Sequence, residues 1–195
     1  MSASAARPLC KRAALFFDRD GTVIVDRDHL RDPAGVALLP GAGEALRALA
    51  EAGWMLVMVT NQSGVARGYF DLADVDAVNR RMNIILAAYG VCFDAIYVCP
   101  HGPASDCVCR KPAPGMLLSA ADDHAIDLSR SFLIGDKLSD LEAAASVGSV
   151  GILVMTGQGP ASVDAAKSRG WIVVADLLEA ATLIQQAAGA DQLTE

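Results

Sequence analysis

Residues 16–22 read FFDRDGT, and they form the most informative stretch because an apolar run ends in two aspartates one residue apart. Apolar runs are typical of buried strands, and open α/β sheets bind ligands outside the carboxyl ends of their strands. Side chains two positions apart in an extended segment point the same way, so Asp18 and Asp20 can face one site. Two close carboxylates need a cation between them or a proton on one. The pair predicts a magnesium site, an acid/base pair or both, with a solvated Asp-Gly turn as the alternative.

Short apolar segments alternate with helical segments along the rest of the chain. The strand candidates are residues 13–17, 54–59, 93–98, 131–134, 150–154 and 172–174. The helix candidates are residues 42–52, 72–89, 115–124, 139–147, 161–168 and 177–188. Most strand candidates are continuously apolar and rich in β-branched residues, which suits a sheet covered on both faces. The alternation predicts an α/β fold with a doubly wound, mostly parallel sheet.

Length and charge restrict the class of protein. A chain of 195 residues suits a single domain, 1–195, and we expect flexible ends at residues 1–11 and 189–195. The net charge of -7 argues against a general nucleic-acid or anionic-membrane surface. No apolar run reaches membrane-spanning length and the N-terminus lacks an apolar signal core, so a cytoplasmic location is the default expectation. No segment is long enough for a large cap domain, so we expect an open site at the sheet edge. A monomer is therefore the default expectation.

Three further polar motifs follow strand candidates and should meet the aspartate pair at one sheet edge. The run TNQSG at 60–64 offers a hydroxyl, amides and a flexible backbone for phosphate oxygens. Arg110 and Lys111 are suited to neutralising anions, the arginine by a bidentate contact. Asp136 is a suitable oxygen ligand for Mg²⁺, and Asp140 lies one turn further on. Each motif alone has an ordinary alternative, such as a cap or a solvated charge, but four in the required places indicate one shared site.

Two segments interrupt the alternation. Residues 22–39 show no helical period and predict a flap or a short β-hairpin. We expect His29 in this flap to be a surface residue, with contact to the substrate as the alternative. Residues 100–114 form a loop rich in cysteine, proline and glycine, and together with Cys99 just before it this loop carries a set of metal-ligand residues. The ligand candidates are Cys99, His101, Cys107 and Cys109. Three sulfurs and one imidazole form a closed structural Zn²⁺ composition, with reduced thiols as the alternative. Cys10 and Cys92 lie outside this set, and we interpret them as structural or incidental.

The four motifs together resemble those of the haloacid dehalogenase superfamily of phosphatases. The resemblance covers roughly residues 14–155 and rests on residues 18–22, residues 60–62, Lys111 and residues 135–136. It implies a Rossmann-like sheet of the haloacid dehalogenase type, with a short flap, a zinc-binding loop and no large cap domain. It also implies a small phosphorylated substrate and Mg²⁺ as the catalytic cofactor.

The resemblance implies a role for each matching residue. Asp18 would attack phosphorus and form an aspartyl-phosphate, and Asp20 would act as the general acid and base. Thr60 and Lys111 would hold the phosphoryl oxygens. Mg²⁺ would be bound by Asp18, the Asp20 carbonyl and Asp136. On the same grounds Asp140 is expected to orient its neighbours rather than to bind the metal.

Within the superfamily, the cysteine loop resembles two families, the D-glycero-D-manno-heptose-1,7-bisphosphate 7-phosphatases and the histidinol-phosphatases. The run NQSGVARG at 61–68 looks like the heptose version, which implies that Asn61, Gln62 and Ser63 bind substrate. Arg67 and Arg110 would suit the second phosphate of a bisphosphate. The flap departs from the heptose family, which usually has a Gly-Tyr pair where this chain has His29-Leu30. Histidinol-phosphatase is the alternative, ahead of a DNA 3′-phosphatase or a non-catalytic module that binds phosphometabolites.

Overall fold

The computed structural model describes residues 11–191 of the chain. The expectations for Cys10 and for most of the two ends therefore fall outside the described residues. The single-domain boundary at 1–195 stays a prediction. None of the described helices is both long and apolar enough to cross a membrane.

Six parallel strands form one sheet. They are β1 (Ala14–Phe17), β2 (Met55–Asn61), β3 (Ala95–Cys99), β4 (Phe132–Gly135), β5 (Val150–Val154) and β6 (Ile172–Val174). Their spatial order is β3-β2-β1-β4-β5-β6, with every neighbouring pair parallel. The chain order reverses between β1 and β4, and crevices at such switch points are where open α/β sheets bind ligands.

Helices cover both faces of the sheet, which confirms the doubly wound prediction. They are α1 (Ala42–Glu51), α2 (Leu72–Ala87), α3 (Gly115–His124), α4 (Leu138–Ser146), α5 (Val163–Ser168) and α6 (Leu177–Asp191). One apolar core packs side chains of α1, α2 and α6 against the sheet, and a second packs α3 and α4 against the other face. All four residues of β1 are completely buried, as expected for a strand between two such layers.

The observed elements follow the predicted ones within a few residues, with one internal difference. The helix predicted at 161–168 is a 3₁₀ turn at Gly159–Ser162 followed by the shorter α5. The Pro in this turn has no N–H to donate, which suits the start of a helical segment but not its interior.

The flap at 22–39 is mostly irregular. A single antiparallel bridge between Ile24 and Leu38 joins its two ends, and a 3₁₀ turn at Pro33–Gly35 lies between them. Within the described part of the chain, no inserted cap domain covers the carboxyl edge of the sheet. The flap and the cysteine loop are therefore the segments that border the switch-point crevice.

Candidate active site

Asp18 continues β1 by one residue and is anchored by the sheet. Its backbone N–H donates to the carbonyl of Ile134 at 2.9 Å, so its carboxylate emerges between β1 and β4. Burial alone would raise the pKa of Asp18, but the positive charges of Lys111 and Lys137 lower it overall. An ionised carboxylate in this position can act as a nucleophile.

Lys111 is buried between two carboxylates. Its ammonium group lies 2.7 Å from Asp18 Oδ1 and 2.6 Å from Asp140 Oδ1, and it donates to the Val59 carbonyl at 2.6 Å. Burial would lower the pKa of Lys111, but the charges of Asp140 and Asp18 raise it overall. The contacts with Asp18 and the Val59 carbonyl are hydrogen bonds, and the contact with Asp140 is an ion pair. Lys111 therefore presents a fixed positive charge to the crevice.

Asp136 follows β4 and lies close to Asp18, and one of its two carboxylate oxygens accepts no hydrogen bond. Its Oδ2 accepts from the Gln158 N–H at 2.8 Å, whereas the buried Oδ1 accepts no hydrogen bond, although Lys137 Nζ lies 3.3 Å away. Burial and the negative charge of Asp18 raise the pKa of Asp136 to about 7. Oxygen atoms of Asp18, Asp136 and Asp140 lie within 4.8 Å of one another. Such a set fits a divalent cation with oxygen ligands.

Gly21 keeps the space beside these carboxylates open. It has a φ of +84°, and a methyl group added there would collide with the Asp136 carboxylate. Glycine tolerates this backbone conformation without strain, so a glycine is required on both counts.

Asp140 connects Lys111 to the start of α4, and its orienting role stays a prediction. Besides the ion pair with Lys111, its Oδ2 accepts from the Lys137 N–H at 3.1 Å, which closes the first turn of α4. Burial and the charge of Asp18 raise the pKa of Asp140 overall, against the opposing effect of Lys111. The carboxylate thus joins the lysine to the start of the helix that follows β4.

Asp20 points to a different set of partners from Asp18. Gln62 Nε2 donates to its Oδ2 at 2.8 Å, and Arg19 Nε donates to the same oxygen at 3.1 Å. The same Gln62 amide lies 2.8 Å from Thr60 Oγ1 at the end of β2. The second motif therefore supports the side chain of Asp20 directly, a link that sequence spacing does not show.

Asn61 is engaged with the backbone of the third motif. Its Nδ2 donates to the Lys111 carbonyl at 3.0 Å and its Oδ1 accepts from the Lys111 N–H at 3.1 Å. This reciprocal pair fixes Lys111 relative to β2. The role of Asn61 as a substrate ligand stays a prediction, since both ends of its amide already have partners.

A cavity of about 610 Å³ opens beside the carboxylates. Its basic side includes Arg110, Lys111 and Lys137, and its flap side includes Asp26 and Asp28. Four more residues that the sequence predicts at the site also border the cavity, namely Asp20, Asn61, Gln62 and Ser63. No role is predicted for Lys137 from the sequence, although a lysine next to Asp136 at the end of a strand indicates a place at the site.

Arg67 and His29 differ in their position relative to the cavity. Arg67 is exposed on the turn after Ser63 and does not border the cavity, so its contact with a second phosphate stays a prediction. His29 is partly buried rather than a simple surface residue, with its ring 5.0 Å from that of Tyr69, and it does border the cavity. The backbone of His29 is in the left-handed region, with a φ of +64°.

The cysteine loop brings its four candidate ligands together. Their ligand atoms lie within 4.8 Å of one another, with Cys99 Sγ 3.2 Å from Cys109 Sγ and 3.9 Å from Cys107 Sγ. His101 Nδ1 is 3.2 Å from Cys109 Sγ. A tetrahedral Zn²⁺ with sulfur ligands at about 2.3 Å separates those sulfurs by roughly 3.8 Å, so the set fits that ion. Burial raises the pKa of the Cys99 thiol to about 12. A bound cation would favour the thiolate, because metal ligation requires a deprotonated sulfur.

Arg110 connects this loop to the cavity. Its Nη1 donates to the His101 carbonyl at 3.1 Å, and its side chain borders the cavity next to Lys111. The fold of the loop therefore determines where one cavity cation lies.

Comparison with known proteins gave three findings. A family model described as HAD-hydrolase-like matches residues 108–180. The D-glycero-beta-D-manno-heptose-1,7-bisphosphate 7-phosphatase of Pseudomonas aeruginosa is 38% identical over 176 residues, which cover 90% of this chain and 99% of the relative. The corresponding enzyme of Bordetella bronchiseptica is 44% identical over 146 residues, 74% of this chain and 82% of the relative.

Solved structures give the same result. The crystal structure of D,D-heptose 1,7-bisphosphate phosphatase from B. bronchiseptica, complexed with magnesium and phosphate, has a TM-score of 0.84 and 40% sequence identity. The match covers 90% of this chain and 99% of that one. The corresponding Burkholderia thailandensis enzyme has a TM-score of 0.69 and 32% identity, over 88% of this chain and 97% of that one.

Proposed function

This chain belongs to the D-glycero-beta-D-manno-heptose-1,7-bisphosphate 7-phosphatase family of haloacid dehalogenase-like hydrolases, and we propose that it removes the 7-phosphate of that sugar bisphosphate. The product would enter the synthesis of nucleotide-activated heptose. The observation that supports this proposal most strongly is the buried Lys111 between Asp18 and Asp140, opposite Asp136 and open to a cavity.

Asp18 is the proposed nucleophile. One of its carboxylate oxygens forms a bond to phosphorus while the bond between phosphorus and the sugar O7 breaks, and the proton of Asp20 goes to O7. A water molecule then attacks phosphorus, gives its proton to Asp20, and releases phosphate as the bond to Asp18 breaks. Asp20 is suited to both steps because it lies beside Asp18 but has separate supports, Arg19 and Gln62.

The phosphoryl group would be surrounded by donors and positive charge. The Thr60 hydroxyl and the fixed charge of Lys111 would face its oxygens, and Lys137 would add an ammonium from the cavity wall. The carboxylates of Asp18 and Asp136 and the carbonyl of Asp20 would hold Mg²⁺, which neutralises charge on the transferring group when it is bound.

We propose Zn²⁺ as the ion of the cysteine loop, with a structural role. Three thiolates and one imidazole leave no ligand position open for chemistry. The loop is instead well placed to hold Arg110 at the cavity.

The polarity of the cavity suits a polyol with two phosphates. The flap offers Asp26 and Asp28 as acceptors for sugar hydroxyls, and Arg110 from the cysteine loop offers a planar cation to the second phosphate. Histidinol phosphate carries one phosphate, and the curated relatives do not favour this alternative.

A substrate panel tests this proposal. We would measure kcat/KM with Mg²⁺ for heptose 1,7-bisphosphate, heptose 7-phosphate and histidinol phosphate, expecting the bisphosphate to be favoured at least about tenfold. Arg110→Ala should reduce kcat/KM for the bisphosphate by about tenfold and leave heptose 7-phosphate within about threefold. Arg47→Ala is the matched control, because Arg47 is an exposed arginine that pairs with Glu51 on α1 and lies outside the cavity lining. A wild-type preference for histidinol phosphate would overturn the heptose assignment.

A further inference from the structure

Arg19 lies between the two catalytic aspartates and is completely buried, with 0% of its surface exposed. A buried guanidinium is unfavourable unless its charge and its donors find partners. Its Nε and Nη2 contact Asp20 Oδ2 at 3.1 and 3.0 Å, and its Nη1 donates to Asn79 Oδ1 at 2.9 Å. Among the described residues, Asp20 is the carboxylate that contacts it. Asp20 therefore compensates the buried charge of Arg19, and Arg19 in turn supports the side chain of Asp20.

Asn79 is a polar residue in an apolar position of α2. It is 5% exposed, and its neighbours one turn away on the same face, Val75 and Met82, are buried hydrophobic residues. A buried amide requires a partner, and the hydrogen bond to Arg19 supplies one. Asn79 does not border the cavity, so it acts on the site only through Arg19.

The two oxygens of Asp20 are held unequally. Oδ2 accepts two hydrogen bonds, from Arg19 Nε at 3.1 Å and from Gln62 Nε2 at 2.8 Å, and Arg19 Nη2 also lies 3.0 Å away. Oδ1 accepts one hydrogen bond, from Arg19 Nη2 at 3.3 Å. A carboxyl group with one crowded oxygen carries its proton on the other oxygen, since each donor already occupies a lone pair of the first.

We propose that Asn79 and Arg19 are positioning residues that hold Asp20 by Oδ2 and leave Oδ1 to transfer the proton to the leaving group. This inference rests on the proposed phosphatase function, in which Asp20 is the general acid. The pair of Asn79 and Arg19, which we call the brace, links helix α2 to proton transfer across 60 positions of sequence.

The brace predicts a loss that depends on the leaving group. Heptose leaves as an alkoxide and needs the proton of Asp20, whereas p-nitrophenol leaves as a stable anion without it. The ratio kcat/KM reports only steps up to departure of the leaving group, so later hydrolysis of the aspartyl-phosphate does not obscure the comparison. In Asn79→Leu, kcat/KM for heptose bisphosphate should fall about 10–100-fold and that for p-nitrophenyl phosphate should stay within about threefold.

Three further variants complete the experiment. Asn79→Ser leaves room for water and should show the same selective loss if the leucine variant does not fold. Asn79→Asp keeps an acceptor for Arg19 Nη1. It should therefore recover most of the kcat/KM for heptose bisphosphate that Asn79→Leu loses relative to p-nitrophenyl phosphate. Asn83→Leu is the matched control on the same helix, because Asn83 Oδ1 accepts only from the Phe93 N–H at 3.3 Å, away from Asp20.

The outcomes are distinguishable. Equal losses on both esters, or no loss on either, in the Asn79 variants would overturn the brace and reduce Asn79 to a structural residue. A wild-type enzyme that hydrolyses neither ester overturns the proposed function itself, whereas an active wild type with equal losses overturns the brace alone.

Discussion

The carboxylate site and the cysteine loop are two metal-type sites that the chain builds in opposite ways. Asp18 and Asp136 are buried and follow β1 and β4, which neighbour each other in the sheet. The loop at 100–109 has no strand or helix, most of its residues are partly or fully exposed, and its structure centres on soft ligands. The sheet holds the first site in place even when two negative charges oppose each other there. The loop has no comparable core, so its ligands must determine its shape.

In the cysteine loop a bound ion would stabilise the fold, whereas at the sheet edge the fold holds the ligands in place. A structural Zn²⁺ contributes about 10–16 kcal/mol to the folding of small peptides, enough to order a loop without a core. At the sheet edge the fold instead brings the carboxylates together. Lys111 offsets the resulting repulsion, and a bound divalent cation would offset it further. Arg110 and Lys111 join the two regions, since one contacts the loop and the other contacts Asp18.

Asp18→Asn should separate catalysis from folding at the sheet edge, and it has the largest expected effect. Removing the nucleophile should lower kcat by roughly 10⁴-fold or more. The fold should persist, because the sheet rather than the carboxylate holds this position and Asp140 still pairs with Lys111. We would measure phosphate release together with thermal unfolding, using Asp122→Asn on the exposed side of α3 as the control. More than about 1% residual activity would contradict the assignment of Asp18 as nucleophile.

Cys109→Ser should show the reverse behaviour in the cysteine loop. Loss of one ligand should release the ion and loosen residues 100–111, and displacing a catalytic group by about 1 Å can cost roughly 100-fold. We therefore expect zinc content to fall, amide exchange in this segment to increase, and kcat to fall about 10–100-fold.

Cys92→Ser is the matched control for the loop, because Cys92 is an exposed free thiol outside the ligand set. It should change neither zinc content nor activity. If Cys109→Ser lost its zinc while amide exchange in the loop stayed the same, the loop would have a shape of its own and the contrast with the sheet edge would fail.

The sequence predicted the fold and the convergence of four motifs because both follow from local pattern. Apolar runs that end in polar residues locate strand ends, and parallel strands bring those ends to one edge. The partners of Arg19 could not be predicted in this way. Alternation places it away from the aspartates on either side, yet its long side chain returns to Asp20 and reaches Asn79 on α2. Arg67 lies on a turn, where sequence gives no side-chain direction, and it ended outside the cavity lining.

The sheet-edge site should also show its repulsion as a pH dependence, which is the smallest expected effect. Burial and the charge of Asp18 raise the pKa of Asp136 to about 7, whereas an unfolded aspartate has a pKa of about 3.9. Between these values the folded protein binds a proton that the unfolded chain does not. The Asp136 contribution to the free energy of unfolding is therefore complete below about pH 4 and is lost as the pH rises through about 7.

Magnesium should reverse this trend, since it binds the ionised carboxylate. After dialysis that removes Mg²⁺ but retains the ion of the cysteine loop, we expect the melting temperature to fall between pH 5.5 and pH 8. Added Mg²⁺ should then stabilise the protein by more at pH 8 than at pH 5.5, by a few degrees. Asp136→Asn should flatten the metal-free curve and remove the Mg²⁺ effect, while Asp122→Asn should keep both. A wild-type curve that rises over this range, or a Mg²⁺ effect independent of pH, would show that another group carries the repulsion. Charge repulsion at Asp136 would then no longer be a feature that distinguishes the sheet-edge site from the cysteine loop.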